Sequence, residues 1–288
     1  MARKTIFDIL ANKWDLSVEI SRVHDLFVKE HLLQVDRLSY TLRKFVDIYC
    51  FEYWKSRGRC IDVNDLMRTI NYEKLLDDSE KNFDSLWSLI EIVFTFWKLA
   101  ETKINNSKDI KYYTNFYHLS DVLQEILSHY NHKALYDEEA EQIIVIENKP
   151  EITAVVETVE PKLSLEVIRY NHYTLRGDID AKRSILNFMG QALEPRRKEL
   201  SKIHSGLEDN IFYFLNNLHI RHNNKARKDK NYKEYVAKMT KKKLELWYDE
   251  LYQMILLAFL ELEHVQRSAR CKDLRLKIEK PVKVEENP

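Results

Sequence analysis

The chain has little of the material that builds tight turns, cross-links or phosphate loops. Only 4 of its 288 residues are glycine and 5 are proline. So few turn residues argue against a sandwich or barrel, where many strands are joined by Gly- and Pro-bearing turns. No Gly-rich phosphate loop is present. The three cysteines (Cys50, Cys60 and Cys271) form no CxxC pair, and no histidine stands at zinc spacing from them. Free thiols in a reducing cytoplasm are expected, with no metal and no cofactor. Charge of one sign is not in excess either, since 46 basic residues face 46 acidic ones. Any attraction to a polyanion must therefore come from a local patch. The two most apolar runs, residues 86–100 and 254–262, are too short to span a bilayer, and Glu91 and Lys98 interrupt the first. Residues 1–13 lack the apolar core of a secretory leader. These absences predict a soluble cytoplasmic protein with no membrane partner.

What is abundant is charge, at 32% of residues, beside an ordinary 44% of hydrophobic ones. That mixture suits long helices decorated with ion pairs. The expected fold class is mostly all-α: two helical lobes with one small β-hairpin near residues 134–147. In the first lobe, residues 1–13 read as a loose basic start and Ser17 as the cap of a helix reaching about His31. Asp36 reads as the cap of a second helix reaching about Ser56, with Gly58 as its stop. Asp62 or Asn64 opens a third. Ser79 opens a long fourth, whose Phe83, Leu86, Trp87, Ile90, Phe94 and Trp97 form a stripe wide enough to meet two partner helices. A fifth covers roughly residues 115–129.

Residues 134–136 and the β-branched run 142–146 predict the hairpin. Pro150 then starts a connecting helix. The second lobe has amphipathic segments at 165–170, 180–193, 194–204 and 207–219. Thr240 caps a last long helix bearing Leu244, Trp247, Tyr248, Leu251, Ile255, Leu256, Phe259 and Leu262. A charged tail after Arg270 is expected to fray. The predicted divisions are thus residues 1–132, 133–159, 160–270 and 271–288.

One stretch concentrates chemistry. The apolar run through Phe214 and Leu218 breaks into His219-Ile220-Arg221-His222-Asn223-Asn224. Lys225, Arg227, Lys228 and Lys230 come next. Metal-free RNA cleavage needs a group that takes the 2′-hydroxyl proton, a cation for the phosphorane and donors that position the phosphate. Histidine titrates near neutrality and arginine grips phosphate bidentately. Arg221, His222, His219, Asn223 and Asn224 are therefore the candidate catalytic set, with Lys225, Arg227, Lys228 and Lys230 as nucleic-acid contacts. The same residue types also suit a plain helix C-terminus, where they satisfy the last carbonyls.

Between residues 221 and 243 the acids are only Asp229 and Glu234, and Tyr232 and Tyr235 are available to stack on bases. Lys241, Lys242 and Lys243 oppose the dipole of the helix they begin. A second candidate cluster is Asn171, His172, Arg176 and Asp178 around Gly177, which equally reads as a hydrogen-bonded turn. His129 and His132 sit at helical spacing but lack a third ligand.

Residues 160–265, with Leu215-Asn-Asn-Leu-His-Ile-Arg-His-Asn-Asn224 between two long amphipathic helices, resemble the helical core of prokaryotic HEPN-type proteins. The wider layout resembles abortive-infection proteins of the AbiJ kind. That resemblance implies an effector or accessory protein of a bacterial phage-defence or toxin-type system that acts on or binds RNA. HEPN ribonucleases carry an Arg followed, after four to six positions, by a His. Here those positions after Arg221 hold Ala226, Arg227 and Lys228. The alternative class is a non-catalytic helical adaptor that binds a protein partner or a second copy of itself.

Overall fold

A computed structural model describes residues 14–77 and 82–279 of the chain. Helix dominates it, and the chain divides into two compact units after Asn148. The division falls inside the 133–159 segment that the sequence set apart: the hairpin belongs to the first unit and the helix begun by Pro150 to the second.

In the first unit, helix α1 (Leu16–Val28) is capped by Asp15 rather than Ser17. The Asp15 carboxylate accepts from the amides of Ser17 and Val18 at 2.9 and 3.1 Å. Ile20, Val23 and Phe27 are fully buried, as their spacing predicts. The second helix expected from Asp36 onward is replaced at its start by a sheet. Strands β1 (His31–Val35) and β2 (Leu38–Thr41) form a hairpin, and Asp36 and Arg37 are its turn, both at positive φ. Two successive left-handed residues match the twist of a two-residue hairpin. Helix α2 (Leu42–Tyr49) therefore begins only at Thr41 and ends well before Gly58. Helices α3 (Val63–Thr69), opened by Asp62, and α4 (Tyr72–Leu76) come after it.

The long helix α5 (Phe83–Asn105) is capped by Asn82; Ser79 lies outside the described residues. Its Leu86, Leu89, Ile90, Val93 and Ala100 are fully buried, so the wide stripe is the spine of this unit's core. Strand β3 (Ile110–Tyr112) adds to β1, giving the sheet order β2-β1-β3, and helix α6 (Asn115–His129) comes next. The expected hairpin is β4 (His132–Asp137) paired with β5 (Gln142–Glu147). On its open edge, the amides of Ile143 and Val145 donate to Thr95 and Glu91 of α5 at 2.8 and 2.7 Å. Polar side chains of a core helix thus satisfy strand groups that would otherwise be orphaned. His129 and His132 are used in stacking, on Trp14 and Trp87 with ring centroids 4.0 and 4.1 Å apart.

Among its described residues the second unit's regular elements are helices: α7 (Pro150–Val156), α8 (Pro161–Tyr170), α9 (Ile179–Leu193), α10 (Arg197–Ile203), α11 (Ser205–Asn217), the single turn α12 (Glu234–Ala237) and α13 (Lys241–Glu279). Prolines stand in the first turn of α7 and α8, where a missing N–H costs nothing. Thr240 caps α13 through the Lys243 amide at 3.2 Å. Leu244, Tyr248, Leu251, Ile255 and Leu262 are fully buried on it. After Arg270 the described residues, through Glu279, continue α13 as exposed helix rather than fraying, and the rest of the tail lies outside the described residues.

Gly190 sets how closely α9 and α11 approach. A Cβ there would stand 2.6 Å from a methyl of buried Leu215.

Candidate functional site

Helix α11 ends at Asn217, and His219 takes a left-handed φ of 62° just beyond it. A β-carbon makes this backbone costly unless something holds it. Asn224 holds it. Its side chain, fully buried, accepts from the His219 amide at 2.8 Å and donates to the Asn231 carbonyl at 2.8 Å. Its own carbonyl accepts from the Lys233 amide at 2.8 Å. One side chain thus ties both ends of the 219–233 loop. Within the loop, Asn223 accepts from the amides of Lys225 and Ala226, and Asp229 from that of Asn231. The segment is turn-rich and fixed, although almost none of it is helix.

Arg221 faces inward. Its guanidinium lies 2.7 Å from Glu194, donates to the Gly190 carbonyl at 3.1 Å, and lies 5.3 Å from the centre of the Phe212 ring. Arg197 covers the same ring at 4.2 Å and is paired with buried Glu208. Beside Phe212 an open cleft of about 430 Å³ runs along α11, lined by Arg197, Asp209, Asn210, Tyr213, Asn216 and Asn217 as well as Phe212. His222 and Asn223 are exposed. The five residues singled out as catalytic are therefore neighbours in sequence without converging on one point. Arg221 and Asn224 serve the loop's own architecture, His222 and Asn223 face solvent, and His219 looks to another helix.

That helix is α9. His219 Nε2 lies 3.1 Å from Arg183 Nη1. Arginine only donates, so Nε2 accepts and the neutral ring carries its proton on Nδ1. Nδ1 is buried and makes no hydrogen bond of good geometry. Burial pushes the His219 pKa below its ordinary value, and the Arg183 and Lys225 cations push it further the same way. The nearby His222 main chain and Asp180 oppose this without overcoming it.

Arg227, Lys228 and Lys230 are exposed and Lys225 half-buried, and none of the four has a salt bridge among the described residues. Lys238 is neutralised by Glu234, while Lys243 donates to the Tyr235 hydroxyl at 2.8 Å and lies over its ring. Lys241, Lys242 and Lys243 are all exposed at the start of α13.

The second candidate cluster borders a buried network that only Asn171 of its four residues enters, while Arg176 and Asp178 are exposed. Asn171 donates to the Tyr252 hydroxyl at 2.5 Å, His172 Nδ1 lies 2.7 Å from the Thr174 hydroxyl, and Asp178 caps α9 through the Ala181 amide. Arg176 belongs to the same turn. The Gly177 amide donates to Glu245 at 2.7 Å.

At the centre stands Lys182, which sequence reasoning missed. It is 6% exposed and bridges Glu245 at 2.8 Å and Asp249 at 2.7 Å, with the Tyr170 hydroxyl also on Asp249. Burial acts to raise the Glu245 pKa, but Lys182 and the Gly177 amide hold it below the ordinary carboxylate range. Burial also raises the pKa of Tyr170 and Tyr252, which stack with centroids 4.1 Å apart. A signal was available: Lys182 shares the helical face of Ile185, Leu186 and Met189, an apolar face where a lysine needs a partner.

Among the described residues no group of three or more His, Cys, Asp or Glu is arranged to hold a metal ion. None of their helices is long and apolar enough to cross a membrane. Together the fold and the loop define a mostly helical protein whose second unit presents a fixed cationic segment. No family model, curated protein or solved structure matches the chain.

Proposed function

We propose that this protein binds single-stranded RNA through residues 221–243 without cleaving it, as an accessory component of a phage-defence or toxin-type system. The defence setting comes from the resemblance of residues 160–265 to HEPN-type cores. The observation that carries the RNA reading is the Asn224 anchor. Holding in one shape a loop whose Arg227, Lys228 and Lys230 are exposed and, among the described residues, without a salt bridge lowers the ordering entropy lost when a phosphate chain docks. Tyr235, 66% exposed, adds an aromatic face on which a base can stack. Against cleavage stands Arg221, whose donors are already engaged by Glu194 and the Gly190 carbonyl.

The test is RNA affinity across a salt series. Each phosphate contact to a single strand contributes a slope of about −0.7 in log K against log salt. Replacing Lys225, Arg227 and Lys228 by Gln should therefore flatten the slope by about 2. A slope unchanged by the triple variant removes the proposal.

A second reading, a protein-binding adaptor or homodimer, draws on α13 beyond Glu263. There Leu274, Leu276 and Ile278 are 57%, 62% and 73% exposed. Sedimentation of the wild type against a variant with all three changed to Gln decides it: an assembly lost in the variant supports the adaptor.

A further inference from the structure

Arg183, His219 and Lys225 bring three nitrogen-bearing side chains from α9 and the anchored loop into one electrostatic neighbourhood. Cations gathered in a folded protein ordinarily bring a carboxylate with them. Here the carboxylate in ion-pair range of Arg183, among the described residues, is Asp180, 3.9 Å away at the outer limit of an ion pair and 90% exposed. The buried Tyr248 hydroxyl of α13, on which Arg183 and Asp180 also act, already donates to the Leu218 carbonyl at 3.1 Å. The cluster is thus short of negative charge. Its histidine also spends its outward nitrogen accepting from an arginine, while its inner nitrogen is buried and makes no hydrogen bond of good geometry.

We infer that Arg183, His219 and Lys225 form a binding site for a single phosphate group. An anion entering between Arg183 and His219 turns a contact between two nitrogens into two charge-assisted bonds to oxygen. Arg183 donates to one phosphate oxygen, and Nε2, now protonated, donates to another. Lys225 supplies a third positive charge. Binding therefore takes up a proton at His219, because the anion's charge offsets the burial and the cation repulsion that now disfavour the imidazolium. The site rests on the RNA-binding reading only for the identity of the phosphate's carrier. Free phosphate and a phosphodiester present the same oxygens.

The test is a pH titration of the histidine ring signals by NMR, in the full chain, alone and with either inorganic phosphate or a short single-stranded RNA. The expected result is an upward move of the His219 midpoint by about one unit with each ligand. By linkage, the RNA phosphodiester, whose single charge does not change over this range, should then bind up to about tenfold tighter at about pH 5.5 than at about pH 7.5. Arg183→Gln should abolish the move and Arg183→Lys should keep part of it. If Arg183→Gln fails to fold, His219→Asn replaces it, since Asn tolerates the left-handed backbone. That variant should bind the RNA no more tightly at the lower pH.

A His219 midpoint unmoved by saturating phosphate overturns the inference, even where RNA binding by fluorescence anisotropy persists and the RNA reading stands. A midpoint moved by phosphate but not by RNA keeps the site as a small-anion site and overturns RNA as the carrier of its phosphate.

Discussion

Replacing Asn224 by Ala should destabilise the second unit far more than the same change at its neighbour. The Asn224 side chain is fully buried and makes two hydrogen bonds, each 2.8 Å, to the His219 amide and the Asn231 carbonyl. Truncation leaves both backbone groups without their partner beneath a fully buried side chain. At roughly 1–3 kcal/mol for each unsatisfied group, the loss is about 2–6 kcal/mol. For a domain of this size, about 3 °C per kcal/mol converts that to a thermal midpoint about 6–18 °C lower.

Asn223 is the control. It is exposed and accepts only from the Lys225 and Ala226 amides, at 3.3 and 3.2 Å, so Asn223→Ala should cost less than about 1 kcal/mol. Calorimetry of the two variants checks the contrast. RNA affinity checks its consequence, because a loosened loop should bind several-fold more weakly at temperatures where the variant is still folded. Equal midpoints for the two variants, or an Asn224→Ala midpoint within about 1 °C of wild type, would refute the account of the loop as anchored.

Gly190→Ala should overpack the α9–α11 contact, since its Cβ meets Leu215 at 2.6 Å, and cost about 1–3 kcal/mol by chemical denaturation. Lys182→Met should cost about 2–4 kcal/mol, somewhat less than breaking a fully buried pair because Asp249 is half-exposed; an unchanged denaturation midpoint would show that the network contributes no stability. His219 has a folded pKa below its ordinary 6.5, so the unfolded chain binds more protons as pH falls through that value. The stability tied to it is present above about pH 6.5 and lost as pH drops toward the folded pKa. His24, lowered by burial beside Tyr72, acts in the same direction. The thermal midpoint should therefore fall on acidification from about pH 7.5 to about pH 5.5, and fall less in His219→Asn; a flat profile contradicts the assignment.

Helical spacing made most of the architecture legible because the helices carry wide apolar faces, that of Phe83–Asn105 above all. The hairpin at Gln142–Glu147 was legible because a β-branched run leaves few alternatives. The sheet of His31–Val35, Leu38–Thr41 and Ile110–Tyr112 was not. Its strands are five, four and three residues long, too short for a period to declare itself. Its turn, Asp36-Arg37, carries no glycine to advertise the positive φ.

At the loop, composition singled out the right stretch but not the division of labour within it. Asn223 and Asn224 are identical letters, yet one faces solvent and the other is the buried anchor. Arg183 escaped notice because it meets His219 across 36 positions of sequence.

The measurement closest to the central claim tracks one labelled single-stranded RNA through binding and recovery at low salt. Anisotropy reports the complex, and a denaturing gel reports the length of the strand released from it. The account predicts saturable binding that weakens steeply with added salt, and RNA recovered at full length after prolonged incubation. RNA shortened by the wild type and left whole by Arg221→Ala would contradict it, as would the absence of any complex at low salt.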